Sequence, residues 1–155
     1  MALEINEIKL KLCSYCAYQE RSVLEAKNKI NEFDLDEYAT EELLKYLNTE
    51  GFLNDERFAT TFAGSKFRQK KWGKNKIRLS LLQKGIDTLL CESAIAEIND
   101  EDYFAAMLTL LQKKATLLDE PDIYKFRLKL YNFVKSKGYD NDMIWKGIRE
   151  IESNQ

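Results

Sequence analysis

The tetrapeptide Lys84-Gly85-Ile86-Asp87 returns as Lys137-Gly138-Tyr139-Asp140, and the same step taken backwards lands on Glu32-Phe33-Asp34. Each copy reads as one helix ending and another beginning. Glycine enters the left-handed conformation cheaply and so closes a helix, the apolar residue after it packs back on that helix, and the aspartate caps the next one. A second echo, Asn54-Asp55-Glu56-Arg57-Phe58 against Asn99-Asp100-Glu101-Asp102-Tyr103, marks where units open. A unit of roughly fifty residues buries too little surface to stand alone, so neighbours stack in a line to complete its core. The expected fold is all-α, with three tandem three-helix repeats stacked into an elongated, curved molecule. The units are expected at residues 1–54, 55–99 and 100–155.

Helical periodicity runs throughout. Ile8, Leu12, Tyr15 and Cys16 share one face, Phe58, Ala59 and Phe62 another, and Tyr103, Met107, Leu110 and Leu111 a third. No apolar alternation joined by an Asn-Gly or Asp-Gly turn suggests a hairpin. The spacing predicts helices over roughly 5–19, 22–32, 35–50, 55–71, 74–84, 87–98, 101–118, 122–137 and 140–152, with ends good to a few residues. Between the first two units, Gly51 is expected to end a helix, Phe52 and Leu53 to pack the joint, and Asn54 or Asp55 to cap the helix carrying Phe58 and Phe62. Glu56 in its first turn suits the positive end of the helix dipole.

Composition removes several chemistries. The chain has 155 residues and no histidine, which excludes a serine triad and an HExxH metal site. Cys13 and Cys16 form a CxxC spacing, but only Cys91 remains as a further thiol, short of the four ligands of a closed zinc site. At that spacing on a helix the thiols read as small apolar side chains. No cofactor and no metal is expected. No apolar run approaches the roughly 18 residues that span a bilayer. The start, MALEINEIKLKLC, lacks the basic and apolar regions of a signal peptide, so a soluble cytoplasmic protein is expected.

Charge is unevenly spread. Residues 1–56 carry 6 basic and 13 acidic groups, residues 57–86 carry 9 and none, and residues 87–155 carry 9 and 13. A net charge of −2 therefore hides a basic middle between acidic ends. Taken singly, each basic residue reads as solvated surface charge. Thirty residues without a counter-charge are different, because they concentrate a positive potential that seeks phosphates or an acidic protein surface. Trp72 lies inside the run, where it could stack on a base, plug a partner's pocket, or pack under the loop before Gly73.

The stretch Gly51-Phe52-Leu53-Asn54-Asp55-Glu56-Arg57-Phe58, followed by Ser65-Lys66-Phe67-Arg68, Trp72-Gly73, Lys76-Ile77-Arg78 and Lys84-Gly85-Ile86, resembles the central signature of the bacterial RecX regulatory proteins. Arg21-Ser22, Glu25-Ala26 and Lys29-Ile30 are similar to the family's first-unit helix. The resemblance covers the chain from about Leu10 and is most specific in the first two units. Glu32 stands where the family usually has glycine, Lys74 where proline is frequent, and the basic stretch holds one extra residue. The resemblance implies three three-helix repeats and a non-enzymatic regulator of DNA repair and recombination within the SOS response. Such a protein binds the RecA recombinase filament on single-stranded DNA, lodges in its groove, and restrains ATP hydrolysis, filament extension and strand exchange. The partner is then the RecA filament, with single- or double-stranded DNA as a further one, and the protein a monomer. By carry-over the contact residues are Arg57, Lys66, Arg68, Lys70, Lys71, Trp72, Lys74, Lys76 and Arg78.

Two rival readings belong to other classes. A DNA-binding module acting without RecA would be blind to sequence, since no helix carries an Arg, Asn and Gln set spaced to read bases. An enzyme working through carboxylates and lysine lacks any motif that gathers those groups into a site.

Overall fold

The computed structural model describes residues 4–154 and contains nine helices and no strand among them. They are α1 (Ile5–Tyr18), α2 (Val23–Asn31), α3 (Glu37–Thr49), α4 (Asp55–Lys70), α5 (Lys74–Gln83), α6 (Thr88–Ala96), α7 (Asp100–Leu117), α8 (Ile123–Ser136) and α9 (Asn141–Ser153). The chain is all-α, as the periodicity predicts, and the helix ends fall within about two residues of the expected spans.

Short polar side chains start most of these helices by satisfying backbone N–H groups that have no intrahelical partner. Ser22 accepts from the Glu25 N–H while the Glu25 carboxylate accepts from the Ser22 N–H, a reciprocal capping box. Asn54 and Asn99 accept from the Arg57 and Asp102 amides, both at 2.9 Å, so the two echoing motifs open helices in the same way. Of the two candidates at the start of α4, Asn54 is its cap. The Asp55 carboxylate instead accepts from the Val23 N–H at 2.9 Å and so caps α2 in the first unit.

Gly85 and Gly138 take φ of +79° and +105°, and Asp87 and Asp140 cap α6 and α9. The third copy differs. Glu32 stays in the right-handed region, the left-handed residue is Asp34 at φ +54°, and the cap of α3 is Asp36. Without glycine at position 32 the reversal moves two residues on, to a short polar side chain that tolerates it.

Packing groups the helices in threes. α1 and α3 flank α2, α4 and α5 meet α6, and α7, α8 and α9 meet pairwise. The first three helices have their own core around Ile8, Leu12, Ile30, Leu43 and Leu47. Leu53 and Phe52 belong to that core, so they seal the first unit and do not fill the joint to the second. The other six helices share one core, from Phe58, Ile77 and Leu81 through Tyr103 and Met107 to Leu130, Tyr139 and Ile144. The molecule is a linear array with an accessible surface of 9852 Å². A compact monomer of this size exposes roughly 8,100 Å². Cys16 and Cys91 are buried and Cys13 half-buried, all as free thiols, and burial raises the pKa of Cys16 and Cys91.

Candidate functional site

The basic run forms α4, a reversal, and α5. Phe58, Ala59 and Ala63 bury one face of α4, and Lys66 and Lys70, one helical turn apart, continue that side of the helix past the core, over Phe62 and Trp72. The helix ends at Lys71, held at φ +54° and ψ +36°, a left-handed conformation unusual for a lysine. The reversal is fastened from both sides. The Trp72 N–H donates back to the Lys66 carbonyl at 3.3 Å, and the Tyr139 hydroxyl donates to the Lys71 carbonyl at 2.9 Å. Trp72 is thereby folded beneath the last turn of α4, half-buried and edge-on to Phe62 with 6.3 Å between ring centroids.

Three lysine ammonium groups gather on that indole. Lys66, Lys70 and Lys76 lie 5.1, 5.8 and 4.7 Å from it. A cation over an indole face is favourable by about 0.5–1 kcal/mol at an exposed site, which offsets part of the repulsion between the lysines. Burial lowers the Lys66 pKa, and the neighbouring charges of Lys70 and Lys84 add to that. Trp72 therefore both packs under the reversal, as one sequence reading holds, and collects cations.

The remaining basic residues are sorted by carboxylates from outside the run. Arg57 donates through Nε to both oxygens of Glu20, at 2.6 and 2.8 Å. Arg78 is paired with Glu92 and also donates to Asn75 at 2.9 Å; the hydrogen bond to Glu92 raises the Arg78 pKa and lowers that of Glu92. Lys74 lies 3.6 Å from Asp100, and Lys84 3.4 Å from Glu25. Among the described residues Lys66, Arg68, Lys70, Lys71 and Lys76 have no carboxylate partner. The structure thus gathers Lys66, Lys70, Trp72 and Lys76, sets Arg68 exposed on α4, gives Lys71 a backbone role, and neutralises Arg57, Lys74 and Arg78.

An aromatic joint, absent from the sequence reading, holds this surface in place. Tyr103 stacks on Tyr139 at 4.8 Å and meets Phe67 at 5.9 Å. Its hydroxyl accepts from the Lys74 N–H at 2.7 Å, and so serves the uncapped start of α5. Beside it Gly73 donates to the Lys137 carbonyl at 2.6 Å and Asn75 to the Gly138 carbonyl at 3.0 Å. The available signal was the pair of aromatic residues following the Asn99 and Gly138 motifs.

Known proteins resemble this chain along both of its later units. Residues 54–95 match the second three-helix domain of RecX, and residues 100–148 the third. A regulatory protein RecX of Chlorobium phaeobacteroides is 37% identical over 134 residues, covering 86% of this chain and 85% of that protein. The chain belongs to the RecX family. A RecX of Clostridium botulinum strain Eklund 17B is 35% identical over 128 residues, and this chain spans 59% of that relative's length. In fold, the chain matches the crystal structure of RecX from Lactobacillus salivarius with a TM-score of 0.87 and 24% identity, over 96% of each. Its third unit, where the motif resemblance is weakest, is matched as a RecX domain too. No described helix is long and apolar enough to cross a membrane.

Proposed function

We propose that this RecX-family chain is a regulator without catalytic activity of its own, which binds the RecA recombinase filament on single-stranded DNA. It restrains the filament's ATP hydrolysis, extension and strand exchange, and acts as a monomer in the cytoplasm. The observation that carries this reading is the set of unpaired cations around the α4–α5 reversal, Lys66, Lys70 and Lys76 gathered on Trp72 with Arg68 and Lys71 beside them, in a protein of this family. The set offers several positive charges to a polyanionic partner, whether filament groove or DNA backbone.

The test is RecA ATP hydrolysis on single-stranded DNA, measured with and without the purified chain. Wild type is expected to lower the rate, and K66E/K70E/K76E to lose at least about tenfold in potency at low salt, with a smaller difference at high salt because screening already suppresses the term removed. Lys70 is exposed and Lys66 and Lys76 are half-buried over Trp72, so the variant should stay folded, with a modest loss of stability that a melting curve measures. An ATPase rate that wild type leaves unchanged overturns the proposal. If single-stranded DNA binding persists in that event, the chain is the sequence-blind DNA module instead. Nuclease or ATPase activity in the purified chain itself would refute the non-catalytic reading.

A further inference from the structure

Three of the four carboxylates that neutralise the basic run come from other units, and two of them, Glu20 and Glu25, come from the first. Both line a cleft of about 330 Å³ whose other side carries Thr61, Ser65, Lys66 and Lys84. The ammonium groups of Lys66 and Lys84 lie 5.4 and 5.7 Å from the same Phe62 ring. Lys84 reaches Glu25 only at 3.4 Å, while Arg57 is held by Glu20. The Thr61 and Ser65 hydroxyls and the Lys66 and Lys84 ammonium groups line this cleft, and the Arg57 guanidinium adjoins it through Glu20; all are donors suited to phosphate oxygens. The acceptors that face them are side chains of the acidic first unit.

These contacts are exchangeable. The first unit and the second share no buried core, and what joins them includes the Glu20–Arg57 and Glu25–Lys84 pairs and the Asp55–Val23 bond. The side chains of Arg57 and Glu20 are 43% and 29% exposed, and pairs so open to water hold weakly. A polyanion competes for the same cations with more charge per group and with counterion release.

We propose that this cleft is a phosphodiester site masked by the protein itself. Glu20 and Glu25 stand where two phosphates of a single strand bind Arg57 and Lys84, adding to the set of Lys66, Lys70 and Lys76. The first unit is a cover that the strand displaces from these two cations. The idea rests on the reading above only in giving the basic face an anionic partner, and it requires no RecA. A nucleic-acid strand fits better than an acidic protein, because Phe62 and Trp72 lie beneath lysine ammonium groups and leave little open aromatic surface to anchor a protein partner.

The test is binding of a fluorescent oligothymidylate to the full chain alone, by anisotropy at low salt. E20Q/E25Q is expected to bind about five- to tenfold tighter than wild type, the range for freeing two exposed ion pairs. Glutamine at position 25 preserves the Ser22 capping box, so the fold is retained. E41Q/E42Q removes the same charge from α3 and is expected to stay within about twofold of wild type, since these side chains are exposed and neither lines the cleft. Equal tightening in both double variants would reduce the effect to net charge and overturn the mask. Absence of binding by wild type and E20Q/E25Q alike would overturn the site, while the RecA assay would still decide the broader reading. Should polyglutamate of matched charge displace the probe better than unlabelled oligothymidylate does, the ligand class is wrong.

Discussion

Gly138 and Gly73 meet backbone to backbone, and a methyl group on either would have nowhere to go. A Cβ on Gly73 would stand 2.2 Å from the Gly138 carbonyl carbon, and one on Gly138 would stand 2.5 Å from the Lys76 Cβ and 2.6 Å from its backbone nitrogen. Gly138 also sits at φ +105°, whereas Gly51 at φ +81° has nothing within 4 Å of its missing Cβ. The two costs therefore separate. Gly51→Ala should destabilise by about 1 kcal/mol, from backbone conformation alone. Gly138→Ala should cost roughly 2–4 kcal/mol, because steric displacement of the α5 backbone adds to it. Denaturant unfolding of both variants measures the difference, and equal losses would mean that the close approach to α5 carries no energy.

At the scale of elements, α7 is tied to the start of α5 by a phenol. Burial pushes the Tyr103 hydroxyl up to about 12 and the Tyr139 hydroxyl higher still. A raised folded-state value means that the native state holds its proton more tightly than the unfolded chain. The contribution of Tyr103 is therefore complete below the unfolded value near 10 and disappears as pH rises through about 12. Stability should fall steeply across that window, and less so in Tyr103→Phe, which has no proton to lose. In an ultraviolet titration of phenolate, Tyr103 and Tyr139 should be the last of the eight tyrosines to ionise, together with unfolding. Ionisation of Tyr103 and Tyr139 near pH 10 with helicity intact would show that the joint is open to water.

For the whole molecule, the joints are unequal. The second and third units share a core, an aromatic contact between Phe67 and Tyr103 and paired backbone bonds, whereas the first keeps a separate core and meets the second through polar ties and the packing of Leu24 on Gly85. An array of this kind is longer than a globule of equal mass. Small-angle scattering should give a radius of gyration clearly above the roughly 15 Å of a compact 155-residue domain. A value at that figure would contradict the linear stacking.

Helices, caps and the repeat register were legible in the amino-acid order because the forces behind them act over three or four residues. Asn54, Asp87, Asn99 and Asp140 need only the amides just ahead of them, and Ile8, Leu12 and Cys16 need only helical periodicity to share a face. The exception, Asp34 turning where Glu32 could not, was marked by the missing glycine. The composition of the basic surface was legible, but its state of charge was not. Arg57 finds Glu20 37 residues away, Arg78 finds Glu92 14 away, and Lys84 finds Glu25 59 away. Coulomb attraction depends on distance in space, and only the packing of α5 on α6 and the docking of the first unit on the second bring these groups together. The docking of the third unit on the second lays Tyr139 under Lys71 and closes Gly73 on Gly138, so tertiary structure alone decides which cations of the run stay free for a partner.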